Sequence, residues 1–300
     1  MVYRHANWAV DPNLTWAAFF EKLMTSRLAE LMVRKPGEGL ALSLLATVLA
    51  PVRWLIAMAT EAYYKALMSM REHGMVPDHS LSAAMLGWRI SVLPDRFYDM
   101  VVDGGIVLRR CDSFSFLADG VVLDSAGERV IVDADVVILA TGFDADRLLR
   151  GVFVSPRFRE IIVGRPSDTM LPLYRHCVHP RIPQMAVVGY AESAASIYPY
   201  EMMAKWVAHL LDGAVRLPGV AAMERSVAEW ERWGRWARRR SGGFFLKSCI
   251  ATVTTWYHDQ LCRDMGYRPR RKLGEGHLAD WLQPYGPPTT PASSEEEISG

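Results

Sequence analysis

The sequence predicts an α/β fold in which buried strands of a parallel sheet alternate with helices. Residues 136–140 form an apolar run that ends at Thr141-Gly142, which is typical of a strand buried on both faces. A second apolar run, residues 184–188, ends at Gly189, and helical periodicity follows it. Ligands of such folds bind at the carboxyl ends of the strands, so both runs point to a binding edge.

The first third of the chain is predicted to be mainly helical. Residues 2–8 read as a strand that runs into a loop, and apolar residues recur at helical spacing over 16–33. Lys35-Pro36-Gly37 stops that helix, and an apolar pair of helices follows and ends near Met70. Residues 94–100 read as a helical turn, and residues 106–110 as a strand.

Residues 39–59 are almost wholly apolar and are about as long as the ~20 residues that span a bilayer. Pro51 and Arg53 interrupt the run near its middle, and a central arginine is costly in lipid. The sequence therefore favours two buried or surface-docking helices broken at Pro51 over a true span. Contact with a membrane surface stays open.

Short strands with hairpin signals precede residue 136. They cover 114–117, 121–123 and 130–132, and the turn sequences Ala118-Asp119-Gly120 and Ser125-Ala126-Gly127 separate them.

Two helices are predicted in the last third, over 191–211 and 227–240. The second carries tryptophans at 230, 233 and 236 above a basic end. This pattern is more typical of a core-facing stripe with solvated arginines than of RNA stacking.

Composition excludes several classes of protein. The chain has 300 residues and a net charge of +1, so it has no bulk electrostatic reason to bind nucleic acid. Its four cysteines form no CxxC pair or zinc-type cluster, which indicates reduced thiols in a cytosolic setting. No signal peptide opens the sequence.

No glycine-rich phosphate-binding loop is found at a turn between a predicted strand and a predicted helix. The one GxGxxA match, residues 274–279, follows a basic stretch that is no buried strand, so we interpret it as accidental. No P-loop is present either.

Several ordered motifs resemble the flavin-containing monooxygenases. They are ATGF at 140–143, the stretch 172–193, and EMMAKWVAHLLDG at 201–213, together with YRHANW at 3–8. Three further stretches resemble the plant branch associated with defence, namely TSRLAELMVRKPGEG (25–39), WYHDQLCRDMG (256–266) and YGP (285–287). The resemblance runs from residue 1 to about 287.

The resemblance implies an incomplete flavoprotein with two dinucleotide-binding domains and a helical insertion. In this family an NADPH domain is inserted in an FAD domain, and each begins with a GxGxxG turn. Residues 1–115 would be the remainder of the NADPH domain, with the insertion at about 14–75, and 116–284 the C-terminal part of the FAD domain. Residues 285–300 would be a disordered tail. Both glycine fingerprints would precede Met1, so the chain is expected to be truncated.

The implied activity is the transfer of one oxygen atom to a soft nucleophile of a small substrate. Nitrogen is the first choice of nucleophile and sulfur the second. NADPH, FAD and O2 would supply the chemistry through a C4a-hydroperoxyflavin. No catalytic side chain is expected, and truncation would impair the activity. The alternative is a non-catalytic fragment that binds a partner. The resemblance implies a cytoplasmic protein or one peripheral to the endoplasmic reticulum membrane, and leaves self-association open.

Three residues are candidates for the nucleotide side. Arg4 ends the second strand of the NADPH unit, where an arginine accepts the 2′-phosphate, although it could equally be a surface arginine. Thr141 and Gly142 would line the crossover beside the dinucleotide, unless they are a plain strand-ending turn.

Three more candidates, Gly189, Tyr190 and Ser193, lie between a predicted strand and a helix. That helix start could direct N–H groups at the flavin ring, or the segment could be an ordinary βα turn. His176 and His179 lie in a proline-rich loop, where a structural role is more common than a metal or catalytic one.

Overall fold

The computed structural model describes residues 1–10, 22–23, 25–68, 70–142, 144–163, 171–182, 184–193, 196–243, 245 and 249–286. Within these ranges the fold is a mixture of helices and small sheets, which agrees with the predicted mixed α/β class only in that both element types are present. Its strands are β1 (Val2–Tyr3), β2 (Trp8–Val10), β3 (Ile90–Val92), β4 (Arg109–Arg110), β5 (Ser113–Phe116), β6 (Gly120–Ser125) and β7 (Glu128–Asp133). Its helices are α1 (Arg27–Leu31), α2 (Leu40–Val48), α3 (Ala50–Leu67), α4 (Leu81–Gly87), α5 (Phe97–Val102), α6 (Ala145–Val152), α7 (Pro156–Val163), α8 (Ile197–Leu211), α9 (Val220–Arg240), α10 (Thr254–Asp264) and α11 (His277–Leu282).

The largest hydrophobic core lies among α8, α9 and α10. Trp206 of α8 is fully buried, and its indole Nε1 donates to Asp264 at 3.1 Å. The Asp264 carboxylate also binds the Arg175 guanidinium, with 2.7 Å between Nε and Oδ2. Tyr257 of α10 is buried in the same core and donates its hydroxyl to the Arg175 carbonyl at 2.9 Å. The polar ends of the buried aromatics are thus satisfied, which large core aromatics require.

A second core lies near the start of the chain. Strands β2 and β3 pair in parallel, and Trp8 packs there with buried residues such as Tyr64 of α3 and Leu81 of α4. The Trp8 indole donates to the His79 carbonyl at 2.8 Å. Strands β1 and β4 form another parallel pair of two residues each.

The predicted hairpins are confirmed by an antiparallel sheet in the order β5-β6-β7. Ala126 and Gly127 join β6 to β7, and both have positive φ angles, 50° and 86°. This backbone suits a two-residue hairpin, because its twist matches that of the strands. Cys111, Val121 and Leu123 form a small buried cluster at this sheet.

The predicted buried strand at 136–140 is wrong for this structure. Residues 136–140 have no strand assignment, and the four apolar side chains at 136–139 are between 43% and 87% exposed. A strand buried on both faces requires hydrogen-bonded neighbours and covering layers. In the part of the chain that the structure describes, the parallel ladders are only the two short pairs β1–β4 and β2–β3, so this run has no sheet to enter.

The second predicted strand, 184–188, is also wrong. Its only ladder contact among the described residues is an isolated bridge between Ala186 and Val178. The amide of Val187 donates to the Cys177 carbonyl at 2.8 Å, so the segment folds back on the preceding loop. The helix predicted to start at 191 begins later, at Ile197.

The break at Pro51 is confirmed. Pro51 lies in the first turn of α3, where its missing N–H leaves no helix bond unmade, and α2 ends just before it. No single helix among the described residues is long and apolar enough to cross a membrane, whereas α2 and α3, bent by 43°, pass that test only as a pair.

The tryptophan stripe of α9 faces the core, as predicted. Trp230 and Trp233 are buried, Trp236 packs against the same cluster, and the arginines at 238–240 are exposed.

Two predicted segments lie partly outside the described residues. Of the helix predicted over 16–33, the structure describes α1 and a helical piece at 22–23. Of the tail predicted over 285–300, it describes Tyr285, which is buried, and Gly286. The division into two dinucleotide-binding domains stays a prediction.

The core around α8 yields a stability prediction. Met203 is 0% exposed, whereas Leu211 of the same helix is 81% exposed. We expect Met203→Ala to lower the free energy of unfolding by about 2–5 kcal/mol, because it leaves a cavity in a packed core. The control, Leu211→Ala, is expected to change it by less than about 0.5 kcal/mol. Urea denaturation measures both, and equal losses in the two variants would contradict the packing described.

Candidate functional site

Arg4 follows β1 and is exposed. Its Nη2 donates to the Asp112 carbonyl at 2.8 Å, across the β1–β4 pair. One guanidinium nitrogen is therefore fixed while the side chain stays in solvent. This placement suits both the 2′-phosphate role and a plain surface arginine, so the role stays a prediction.

Thr141 and Gly142 lie in the exposed segment after residue 140. Gly142 has a φ of +88°, a conformation that favours glycine. A Cβ placed on Gly142 meets no atom within 4 Å, so no described residue packs against this position. Phe143, the last residue of the ATGF motif, lies outside the described residues.

Gly189, Tyr190 and Ser193 occupy a packed turn before α8. Gly189 has a φ of +90°, and a Cβ there would meet the Tyr200 ring at 3.9 Å. Tyr190 packs beside a small cluster that includes Ile162, and Ser193 is buried, with its carbonyl accepting from Ser196 Oγ at 2.9 Å. The structure thus keeps these three residues together.

These three places do not make a flavin cradle from the described residues. Arg4 lies at the β1–β4 pair, Gly142 in an exposed segment where no described atom lies within 4 Å of a Cβ built on it, and Gly189 against the Tyr200 ring. A dinucleotide site needs backbone N–H groups that converge on the phosphates at a strand-to-helix turn. The cofactor roles of these residues therefore stay predictions.

The buried environment of His176 supports its structural interpretation. Its ring lies edge-to-face against Trp230, with the centroids 4.5 Å apart. Burial, with a smaller contribution from Arg175, lowers the pKa of His176 to about 3, so the imidazole is neutral. Burial also raises the pKa of the neighbouring Cys177 thiol to about 12, which makes it a poor nucleophile.

An ion pair that the sequence analysis missed joins α1 to α10. Arg27 binds Asp259 through two hydrogen bonds, Nη1 to Oδ2 at 2.6 Å and Nη2 to Oδ1 at 2.8 Å. Arg27 also donates from Nε to the Tyr285 hydroxyl at 2.9 Å and from Nη2 to the Pro269 carbonyl at 2.6 Å. Burial alone would lower the pKa of Arg27, but the hydrogen bond and charge of Asp259 outweigh it and raise that pKa.

A second layer of polar contacts surrounds this pair. The Tyr285 hydroxyl donates to the fully buried Asp280 carboxylate, and burial together with this contact raises the pKa of Tyr285 to about 12. Arg271 Nη1 lies 3.3 Å from Asp259 Oδ1, so two guanidinium groups share one carboxylate. Both partners of the main pair lie in motifs quoted for the resemblance, but nothing in the sequence indicates that they meet.

Glu30 is a buried acid beside this network. Its Oε1 accepts a hydrogen bond from the Trp256 amide at 2.9 Å. Burial raises the pKa of Glu30 to about 7, against the opposing effects of the Trp256 hydrogen bond and the Lys35 charge. The carboxyl group is therefore partly protonated at neutral pH.

Comparisons with known proteins confirm the resemblance. No family model matches the chain. The chain is 29% identical over 287 residues, 95% of its length, to "Probable flavin-containing monooxygenase 1" of Arabidopsis thaliana, of which it covers 52%. It is 29% identical over 72% of its length to "Putative flavin-containing monooxygenase 2" of the same plant, covering 45% of that protein. It is 24% identical over 73% of its length to "Flavin-containing monooxygenase 1" of Rattus norvegicus, covering 37%.

The chain thus spans about half the length, or less, of the curated relatives it matches. Flavin-containing monooxygenases use FAD and NADPH, so the predicted cofactors are those of its relatives.

The raised pKa of Glu30 predicts a pH dependence of stability. The folded chain holds this proton up to about pH 7, whereas an unfolded glutamate with the ordinary pKa of 4.5 loses it earlier. The Glu30 contribution to stability is therefore fully present below pH 4.5 and is lost as the pH rises through about 7. The loss amounts to about 3 kcal/mol.

Glu30→Gln keeps an acceptor for the Trp256 amide and removes the titration. We expect the free energy of unfolding of the natural chain, minus that of Glu30→Gln, to fall as the pH rises from 4.5 to about 7. The difference between variants cancels the titration of other groups, such as His176. Urea denaturation at several pH values measures it, and a flat difference would contradict the burial of Glu30 described here.

Proposed function

We propose that this chain, a relative of the flavin-containing monooxygenases, serves an NADPH- and FAD-dependent oxygenation of a soft nitrogen nucleophile, with sulfur as the second substrate class. The observation that carries the proposal is the alignment with the Arabidopsis relative over 95% of the chain. The ordered motifs at 3–8, 140–143 and 201–213 support it. The chemistry of the reaction belongs to the cofactors, and the protein holds and shields them.

In this proposal the candidate residues serve two cofactors. Arg4 would bind the 2′-phosphate of NADPH, since its guanidinium is exposed and held by one hydrogen bond. Thr141-Gly142 and the turn at 189–193 would lie on the FAD side. The positive φ angles of Gly142 and Gly189 are compatible with close approach of a ligand to the backbone.

The activity is proposed to depend on glycine-rich loops that these 300 residues lack at a strand-to-helix turn. The one GxGxxA match, residues 274–279, runs into the start of α11, but residues 268–272 before it form no strand, which supports its interpretation as accidental. The exposed apolar segment 136–139 is the surface that a dinucleotide-binding unit would cover by strand pairing. By itself the chain is therefore expected to retain little FAD.

The proposal is tested by fusing this chain to the part of the Arabidopsis relative that precedes the aligned region. We expect the purified fusion to retain about one equivalent of FAD after desalting, because the added loops bind the pyrophosphate. The 300-residue chain treated in the same way is expected to retain a small fraction of that amount. The absorbance of bound flavin and the oxidation of NADPH in the presence of an amine are the measurements.

The matched control is the same fusion with the glycines of the added loop replaced by alanine, which should lose FAD without unfolding this chain. A soluble, folded fusion that binds no FAD and oxidises no NADPH would contradict the proposal. That result would favour the alternative function, a non-catalytic protein that binds a partner.

A specific observation favours a second function, contact with a membrane surface. Leu40, Leu44 and Val48 recur every fourth residue and form an exposed apolar face of α2, and Val52 and Leu55 of α3 are exposed as well. Burial lowers the pKa of Arg53 of α3, and the charge of Arg240 lowers it further. Arg240, at the basic end of α9, therefore lies near Arg53. An apolar face beside basic residues suits the surface of an anionic bilayer. Such contact would agree with a location peripheral to the endoplasmic reticulum.

We expect the chain to co-sediment with vesicles of phosphatidylcholine and phosphatidylserine. Leu44→Glu should reduce the bound fraction severalfold, because it places a charge in the apolar face. Val154→Glu is the matched control, since Val154 is exposed elsewhere. No binding, or equal loss in both variants, would contradict membrane contact. A concentration-dependent dimer that Leu44→Glu abolishes would identify a second copy of the chain as the occupant instead.

A further inference from the structure

A cleft of about 960 Å³ lies beside the Arg27–Asp259 ion pair. Residues of α1, the α10 residues Trp256 and Arg263, the 268–274 loop and Trp281 of α11 line it. The volume falls within the range of small-molecule sites in proteins. None of the predicted cofactor residues lines this cleft.

The lining of this cleft is strongly basic. Six of its residues are cationic and two, Glu30 and Asp259, are acidic. Counting also Glu38 and Asp280, which pair with lining cations, leaves the positive charges in excess by two. The six cations are Arg27, Lys35, Arg263, Arg268, Arg270 and Arg271.

The cations differ in how far they are neutralised. Arg27 is held by Asp259, and Arg270 lies 3.6 Å from Asp280. Arg263 and Arg268 are exposed, and neither has an ion pair with a carboxylate in the described part of the chain. Because they serve no described ion pair, these two arginines are available to a ligand.

Arg271 provides the second observation. Its side chain is 1% exposed, yet its Nε and Nη2 find no hydrogen-bond acceptor among the described residues. Its remaining nitrogen, Nη1, contacts Asp259 Oδ1 and the Pro269 carbonyl. Buried donors without acceptors cost free energy, and the Arg271 guanidinium leaves positive charge uncompensated at the wall of the cleft.

Two tryptophans give the cleft flat apolar surfaces. Trp256 has the Arg263 guanidinium 5.8 Å and the Lys35 ammonium 6.0 Å from its ring centroid. Trp281 has the Arg270 guanidinium 5.2 Å from its ring centroid. Indole faces beside cations suit a ligand that combines a flat body with a negative group.

We propose that this cleft binds a small organic anion, a flat ring that bears a carboxylate or a phosphate. The anionic group would lie against Arg263 and Arg268, the charge of the buried Arg271 would add to the attraction, and the ring would lie along Trp256 or Trp281. This inference goes beyond the proposed oxygenation and stands whether or not the chain binds FAD.

Calorimetric titration of the 300-residue chain tests the site with benzoate, benzamide and inorganic phosphate. Benzoate and benzamide share a shape and differ in charge, so benzoate should bind saturably and benzamide at least about tenfold more weakly. Benzoate against phosphate separates the two sources of negative charge. Saturable binding of either anion supports the site, whereas no binding by both, or equal binding of benzoate and benzamide, overturns it.

Arg263→Gln and Arg268→Gln locate the site, since neither residue has an ion pair with any described residue. Each should weaken anion binding by about three- to tenfold, and the double variant by more. Arg216→Gln is the matched control, because Arg216 is exposed and lies outside the cleft. An unchanged dissociation constant in the double variant, or an equal loss in Arg216→Gln, would overturn the location.

Discussion

The ion pair between Arg27 and Asp259 joins parts of the chain that lie 232 residues apart. It brings α1 against α10, while Tyr285 on Arg27 and the buried Asp280 bring α11 to the same place. The cleft exists because this network holds three helices and the 268–274 loop around it. A buried pair of this kind does not necessarily add stability, but losing one partner would leave an uncompensated charge. The pair therefore fixes which segments meet at the cleft.

The segment that holds the proposed FAD-side residues Thr141 and Gly142 has no such constraint among the described residues. Residues 136–142 carry apolar side chains and the motif glycine, but no strand or helix of the described chain covers them. Backbone groups that do not pair within a sheet are left to water, so this segment stays open until another element pairs with it. The packed helices α8–α10 and the exposed segment 136–142 thus differ in how far the described residues cover them.

The sequence predicted local features well and long-range pairing badly. The β5–β7 hairpins, the break at Pro51 and the buried stripe of α9 depend on turn residues and periodicity, which are local signals. The predictions of strands at 136–140 and 184–188 were wrong because an apolar run forms a strand only where a neighbouring strand pairs with it. The Arg27–Asp259 pair and the basic cleft were missed for a related reason: no pattern in the sequence shows that these residues meet.

Amide hydrogen exchange on the 300-residue chain, with and without saturating FAD, tests this account most directly. We expect amides at 136–142 to exchange as fast as those of an unstructured peptide, and FAD not to slow them. Amides in α8 and α10 should be strongly protected in both conditions, which shows that the helical body is folded. Slow exchange at 136–142 in the free chain, or protection on adding FAD, would contradict the account, because these residues would then form a site without an added unit.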